Sequence, residues 1–226
     1  SSIQRMTTHR LNDTKWKKLY SFLRLTPGIY TRNEHRTRLF IKAVYWIMRT
    51  GAPWRDLPSE FGKWNSVFNR YADWADKGVW QKMMVHFSDD PDMEWLLLDS
   101  TIFRAHPCAA GAPKKNGGQA EPALGRSRGG FSTKIHVNTD ALGNALRFLL
   151  TGGQASDSPQ AIPLLEGFEF DAVIADRDWY TYKERNLVER LINKIKQYRR
   201  IFTRYEKYAS RYMAFLCFAA TLIWLK

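Results

Sequence analysis

Cysteine is almost absent from this chain. Cys108 and Cys217 stand far apart with no CxxC pair, which argues against both a zinc site and a disulfide framework and fits a reducing cytoplasm. Long apolar runs are missing as well. The most apolar stretch, Met213 to Leu225, is about 13 residues long and contains Thr221. That is too short to span a bilayer, so a buried terminal helix and no membrane partner are expected, with an interfacial helix as the alternative. Ser1 to Arg10 carries no apolar segment of the kind a secretory signal needs. Acidic residues are outnumbered by basic ones, 22 to 35, giving a net charge of +13 and a pI near 9.8. Such a surplus implies an anionic partner, nucleic acid first, with a ribosome-associated or merely solubilised basic protein as the alternative. What is present is a folding composition, 44% hydrophobic with 14% aromatic residues, and this excludes disorder of the whole. No repeat of fixed period and no low-complexity tract occurs. A chain of 226 residues has room for a small unit followed by a larger one.

From Asn12 to about Phe87 the pattern is helical. Trp16, Leu19, Tyr20 and Leu23 recur at helical spacing, as do Leu39, Phe40, Ala43, Val44 and Ile47, with Thr50-Gly51 as a stop. A third amphipathic stretch carries Trp64, Val67, Phe68, Tyr71 and Trp74 between Gly62 and Gly78. With Arg49, Arg55, Lys63 and Arg70 near the junctions, this module reads equally well as a helix-turn-helix or as a plain bundle with solvated basic faces. The turn-rich Ser88 to Asp92 marks a boundary, after which the period becomes strand-like. Trp95 to Leu98 reads as a buried strand with Asp99 at its end. Ala109 to Gly130 reads as a basic loop, either ordinary or suited to gripping a phosphate backbone. Phe131 to Val137 and Ala145 to Leu150 read as a hairpin pair, and Asp157-Ser158-Pro159 starts a short helix over Ala161 to Leu165. Asp171 to Ala175 is a further strand closing on Asp176, a second carboxylate at a strand end. The lone histidines His106 and His136 are read as structural.

A helix beginning near Tyr182 carries Tyr182, Arg185, Glu189 and Lys196 on one face, because their offsets of 0, 3, 7 and 14 residues fall near whole helical turns. Burying four such groups without partners would be costly, so the face is either solvated or a site. From Tyr182 to Arg211 there are ten lysines and arginines, among them Arg199 and Arg200, against three glutamates, interleaved with Tyr198, Phe202, Tyr205, Tyr208 and Tyr212. This predicts a basic, DNA-contacting face backed by aromatic packing.

The spacing of Tyr182, Arg185, Glu189 and Lys196 resembles the Y-R-E-K signature of bacterial insertion-sequence DDE transposases of families four and five. Leu98-Asp99-Ser100-Thr101 looks like that family's first-aspartate strand, and Val173 to Arg177 like its second. Arg49 to Pro58 looks like its N-terminal module. The resemblance implies an α+β (α/β) chain, with a helical, helix-turn-helix-like DNA-binding module at residues 1–88 and a ribonuclease-H-like catalytic core at 93–226. It implies that Asp99, Asp176 and Glu189 bind two Mg2+ ions, for which Mn2+ can substitute, and cut and join DNA at the element's terminal inverted repeats. Tyr182, Arg185 and Lys196, with Arg199 and Arg200 of the basic face, would hold the DNA, and synapsis implies a homodimer in the bacterial cytoplasm, associated with the nucleoid.

One departure stands out. Asp99 and Asp176 lie 77 residues apart, but Asp176 and Glu189 only 13. The family's further helix and strand need about 11 and about 5 residues plus connections, which Arg177 to Thr181 cannot hold. An internal deletion, a core lacking one strand and one helix, and impaired transposition are therefore expected. The alternative is a non-catalytic DNA-binding remnant that competes with or represses intact transposase.

Overall fold

The computed structural model describes residues 11–88, 91–111, 123–127, 130–175 and 182–225. The helices of the first part form where the apolar spacing put them. Helix α1 (Asp13–Leu25) starts at Asn12, whose side chain accepts from the Lys15 N–H at 2.9 Å, and buries Trp16, Leu19 and Leu23. Helix α2 (Glu34–Thr50) repeats the cap with Asn33 and ends at Gly51, whose left-handed φ of 72° needs a residue without a Cβ. Two short turns, Trp54–Asp56 and Ser59–Phe61, lead to α3 (Trp64–Asp76), and Lys77-Gly78 joins it to α4 (Val79–Phe87). Among the described residues of this first part, a two-residue helix connection occurs between α3 and α4. Between α2 and α3 the chain detours because Trp54, Leu57 and Phe61 are buried on the way.

The second part is a mixed sheet. Strand β1 (Trp95–Ala105) pairs antiparallel with β3 (Gly130–Thr139), which pairs antiparallel with β4 (Ala145–Gly152) and, at its start, with β2 (Gly125–Ser127). Helix α5 (Ser158–Leu165) then carries the chain across to β5 (Ala172–Ala175), parallel to β1 on its other side. One expectation needs correcting here. Asp99 does not end β1; the strand runs six residues further, because β3 is long enough to pair as far as Arg104 opposite Ser132.

After α6 (Tyr182–Lys196) come α7 (Arg199–Phe202), β6 (Thr203–Arg204), parallel to the far end of β1, and α8 (Ala209–Trp224). The basic stretch is therefore not one helix. Tyr198, 1% exposed and edge-on to Tyr45 at 6.4 Å, pulls the chain inward after α6. Helix α8 is buried on nearly every side. Phe215 stacks on Tyr71 at 4.6 Å and on Trp54 at 6.1 Å, and Phe218 meets Trp80 at 5.2 Å. The boundary at residues 88–93 divides helices from sheet in the sequence, but one apolar core runs from Leu11 to Leu225 and has α8 at its centre. Among the described residues no helix is long and apolar enough to cross a membrane.

Candidate functional site

Residues paired directly across antiparallel strands share a face. Asp99 lies opposite Val137, and Ser100 opposite His136. The Val137 face is the one α6 covers: Thr101, Phe103, Ile135 and Val137 border one small apolar gap together with Leu191, Ile192 and Ile195 of α6. Asp99 is exposed on that face, with its Oδ1 accepting from the Ser100 N–H at 2.7 Å. Glu189 is exposed on α6, the helix that lies on the same face. Ala175, the last residue of β5, stands opposite Leu98 in parallel register. The residues that follow these two in sequence are Asp99 and Asp176, and Asp176 lies outside the described residues. Tyr182 and Arg185 belong to α6, but their side chains are also outside the description.

Lys196 is half-buried, its Nζ 6.0 Å from the Phe103 ring centre. Arg199 is exposed. Arg200 is a correction to the basic face. It is 6% exposed, its Nε and Nη2 donate to Glu206 Oε1 at 2.9 and 2.7 Å, and its Nη1 donates to the Ala52 carbonyl at 3.1 Å. These bonds tie the segment after α6 to the turn after α2, and at 6% exposure Arg200 is not part of the exposed basic face. Among the described residues of this stretch, the exposed cations outside the signature are Arg199 and Lys207 and, on α6, the pair Arg190 and Lys194. Arg190 and Lys194 sit on the side of the helix opposite Val188, Leu191, Ile192 and Ile195, and the apolar pattern of 188–195 already carried that signal.

The opposite face of the sheet carries a polar cluster that the sequence reading left as structural. His136, 1% exposed, bonds Thr151 Oγ1 at 2.8 Å and Asp157 Oδ1 at 3.2 Å, and Lys134 bridges the same carboxylate at 2.8 Å. Burial holds the imidazole below its ordinary range despite the pull of Asp157. For Asp157 burial pushes upward, but hydrogen bonds from Lys134 and Ser100 and the neighbouring positive charges bring the carboxyl below its usual range. The contact is thus mainly a hydrogen bond between a neutral imidazole and a carboxylate. His106 accepts from the Cys108 N–H at 3.2 Å and stacks on Tyr205.

Among the described residues no group of three His, Cys, Asp or Glu side chains could hold a metal. The three acids expected to do so are one on β1, one on α6 over the same face, and Asp176 beyond the description. As a donor set of carboxylate oxygens alone they suit a hard divalent cation such as Mg2+ or Mn2+.

Two family models match the chain. One, described as "Putative transposase of IS4/5 family", matches residues 11–84, and one described as "Transposase DDE domain" matches residues 90–181. Among curated relatives, "Uncharacterized protein y4sN" of Sinorhizobium fredii is 40% identical over 111 residues, covering 48% of this chain and 87% of the relative. "Putative transposase for insertion sequence element IS6501" of Brucella ovis is 34% identical over 130 residues, covering 42% of this chain and 100% of the relative. "Insertion element IS402 uncharacterized 16.2 kDa protein" of Burkholderia cepacia is 31% identical over 76 residues, covering 30% of this chain and 52% of the relative. No solved structure matches.

Proposed function

Because the chain belongs to the DDE transposases of bacterial insertion sequences, we propose that Asp99, Asp176 and Glu189 form a site for cutting and joining DNA at the ends of its element. The observation that carries this is the parallel pairing of β5 with β1, which runs up to Leu98 and Ala175, the residues just before the two aspartates. The packing of α6 over the face that bears Asp99 supports Glu189 as the third acid. The strand order β4-β3-β1-β5, with three antiparallel neighbours and one parallel strand reached through α5, supports a ribonuclease-H-like core. Paired divalent ions, Mg2+ or Mn2+ in its place, supply charge relief at the attacking and leaving oxygens of the phosphodiester. The chain's own part is to hold three carboxylates toward one point and to bind the DNA phosphates through Arg185, Lys196 and Arg199. Tyr182 packs against the DNA backbone. The partner is duplex DNA carrying the terminal inverted repeats, met by a homodimer at the nucleoid.

A second reading has its own support. Six residues, 176–181, separate β5 from α6, too few for another helix and strand. The match to the Brucella relative runs over 130 residues yet takes in 42% of this chain, fewer residues than the match is long. The family's DDE model also stops at residue 181. These support an internal deletion and hence impaired strand transfer, with the protein acting as a DNA-binding competitor of intact transposase. Nicking of supercoiled plasmid in Mg2+ or Mn2+ separates the two. The catalytic reading expects metal-dependent nicking that Asp99→Asn abolishes. The competitor reading expects no nicking and DNA binding that the same substitution leaves unchanged.

A further inference from the structure

Two cations beside α3 are propped on aromatic rings rather than paired with acids. The Arg55 guanidinium lies over Trp64 at 5.7 Å, and that of Arg211 lies over Phe68 at 5.2 Å and Tyr208 at 4.5 Å. Neither these arginines nor Lys63 joins an ion pair among the described residues. Arg55, Lys63 and Trp64 are exposed, and Arg211 is half-buried. The two ends of this ladder come from opposite ends of the sequence. Tyr71 of α3, donating to the Arg211 carbonyl, and its stacking on Phe215 lock them together.

We propose that this corner is a DNA-gripping surface shared by α3 and the start of α8, with the first turns of α3 turned toward a groove of duplex DNA. The proposal rests on the reading above that the chain binds duplex DNA, and it names where. Asn65, Ser66 and Asn69 are exposed along one side of α3, and amide side chains read base edges, adenine above all. No side chain caps this helix, so its first N–H groups add to the positive field. A guanidinium held over a ring rather than paired with an acid keeps donors for a phosphate and loses less freedom on binding than an unsupported lysine. Against Asp56 and Glu60 in the preceding turns stand Arg55, Lys63, Lys207 and Arg211, all of them exposed or half-buried. The other helices of the module fit less well. Helix α2 buries Phe40, Ile41, Ala43, Val44, Tyr45, Ile47 and Met48 along its length, and the exposed face of α1, with Lys17, Lys18 and Arg24, has cations but no amides.

The test is fluorescence anisotropy of a labelled random-sequence duplex and of duplex taken from the DNA flanking the gene, over a series of salt concentrations. The triple variant Arg55→Gln, Lys63→Gln, Arg211→Gln is expected to bind at least tenfold more weakly. Its salt dependence should be shallower by about 2 to 3 in log–log slope, close to one unit for each phosphate that the variant no longer neutralises. The charge-keeping double variant Arg55→Lys, Arg211→Lys, with Lys63 intact, should retain most of the affinity, while Lys17→Gln with Lys18→Gln should change neither quantity. Asn65→Ala should reduce the preference for flanking over random DNA without altering the slope. Wild-type affinity and slope in a folded triple glutamine variant would overturn the proposal while leaving DNA binding intact. Loss in the α1 variant instead would move the surface to α1. No binding by the wild-type protein would sink the underlying reading itself.

Discussion

Removing the Glu206 carboxylate would strand the Arg200 guanidinium where only 6% of the residue meets solvent. Losing one partner of such a buried pair costs about 3 to 5 kcal/mol. Glu206→Ala is therefore expected to lower the urea midpoint sharply, whereas Arg199→Ala, one residue from the pair but exposed, should leave it nearly unchanged. Nothing in the sequence distinguishes Arg199 from Arg200, because the burial of one comes from a partner six residues on and a carbonyl at Ala52. His136 makes a pH prediction. Its imidazole is held below its ordinary value of about 6.5, so the folded state favours the neutral ring. Stability is fully present above that value and is lost as the pH falls through it, since the unfolded chain takes up the proton first. Asp157, also lowered, adds a loss in the same direction at more acidic pH. The melting temperature should fall from pH 7 to pH 5, and His136→Gln should flatten that fall; an unchanged slope would deny His136 the role. That His136 is structural was legible as a default, whereas its partners, brought in by the β1–β3–β4 register, were not.

At the scale of elements, the helices were the legible part. Gly51 as a stop and the apolar spacing of α1, α2 and α3 follow from local chemistry, whereas the caps at Asn12 and Asn33 come from the structure. What local chemistry leaves open is where β1 ends. Asp99 and Ser100 looked like a terminus because polarity interrupts an apolar run, and only pairing with β3 carries the strand on. Gly51 shows how a local stop and a distant contact coincide. Its φ is 72°, and a Cβ there would lie 3.0 Å from the Cβ of Arg199. Gly51→Ala should thus cost about 1 to 2 kcal/mol from the left-handed backbone, and more if α7 cannot shift, as read by denaturant unfolding. The buried character of the terminal helix was also plain from its composition. Its place against α3 and α4 was not, because no period in the sequence says which neighbour a helix that is apolar all round will choose.

For the whole molecule, a single core predicts a single transition. Calorimetric and van't Hoff enthalpies should agree, and Phe215→Ala, which removes a ring stacked on both Tyr71 and Trp54, should lower stability by about 3 to 5 kcal/mol while keeping one transition. Two separate melts would instead restore the division at residues 88–93. The same unity bears on function. The helical part and the sheet share one core with α8, so the proposed DNA-gripping and catalytic surfaces would be held in fixed relation, and the span of 13 residues from Asp176 to Glu189 is where that proposed relation is most at risk. The proposed triad drew Asp99 and Asp176 from carboxylates at strand ends and Glu189 from the Y-R-E-K spacing; the structure adds that β5 runs parallel to β1 as far as Leu98 and Ala175 and that α6 covers the face of Asp99. Plasmid nicking in Mg2+ or Mn2+ by the wild-type protein beside Asp99→Asn tests this account most directly. Metal-dependent nicking that the substitution abolishes is the predicted result, and equal nicking by both proteins, or by neither while both still bind DNA, would contradict it.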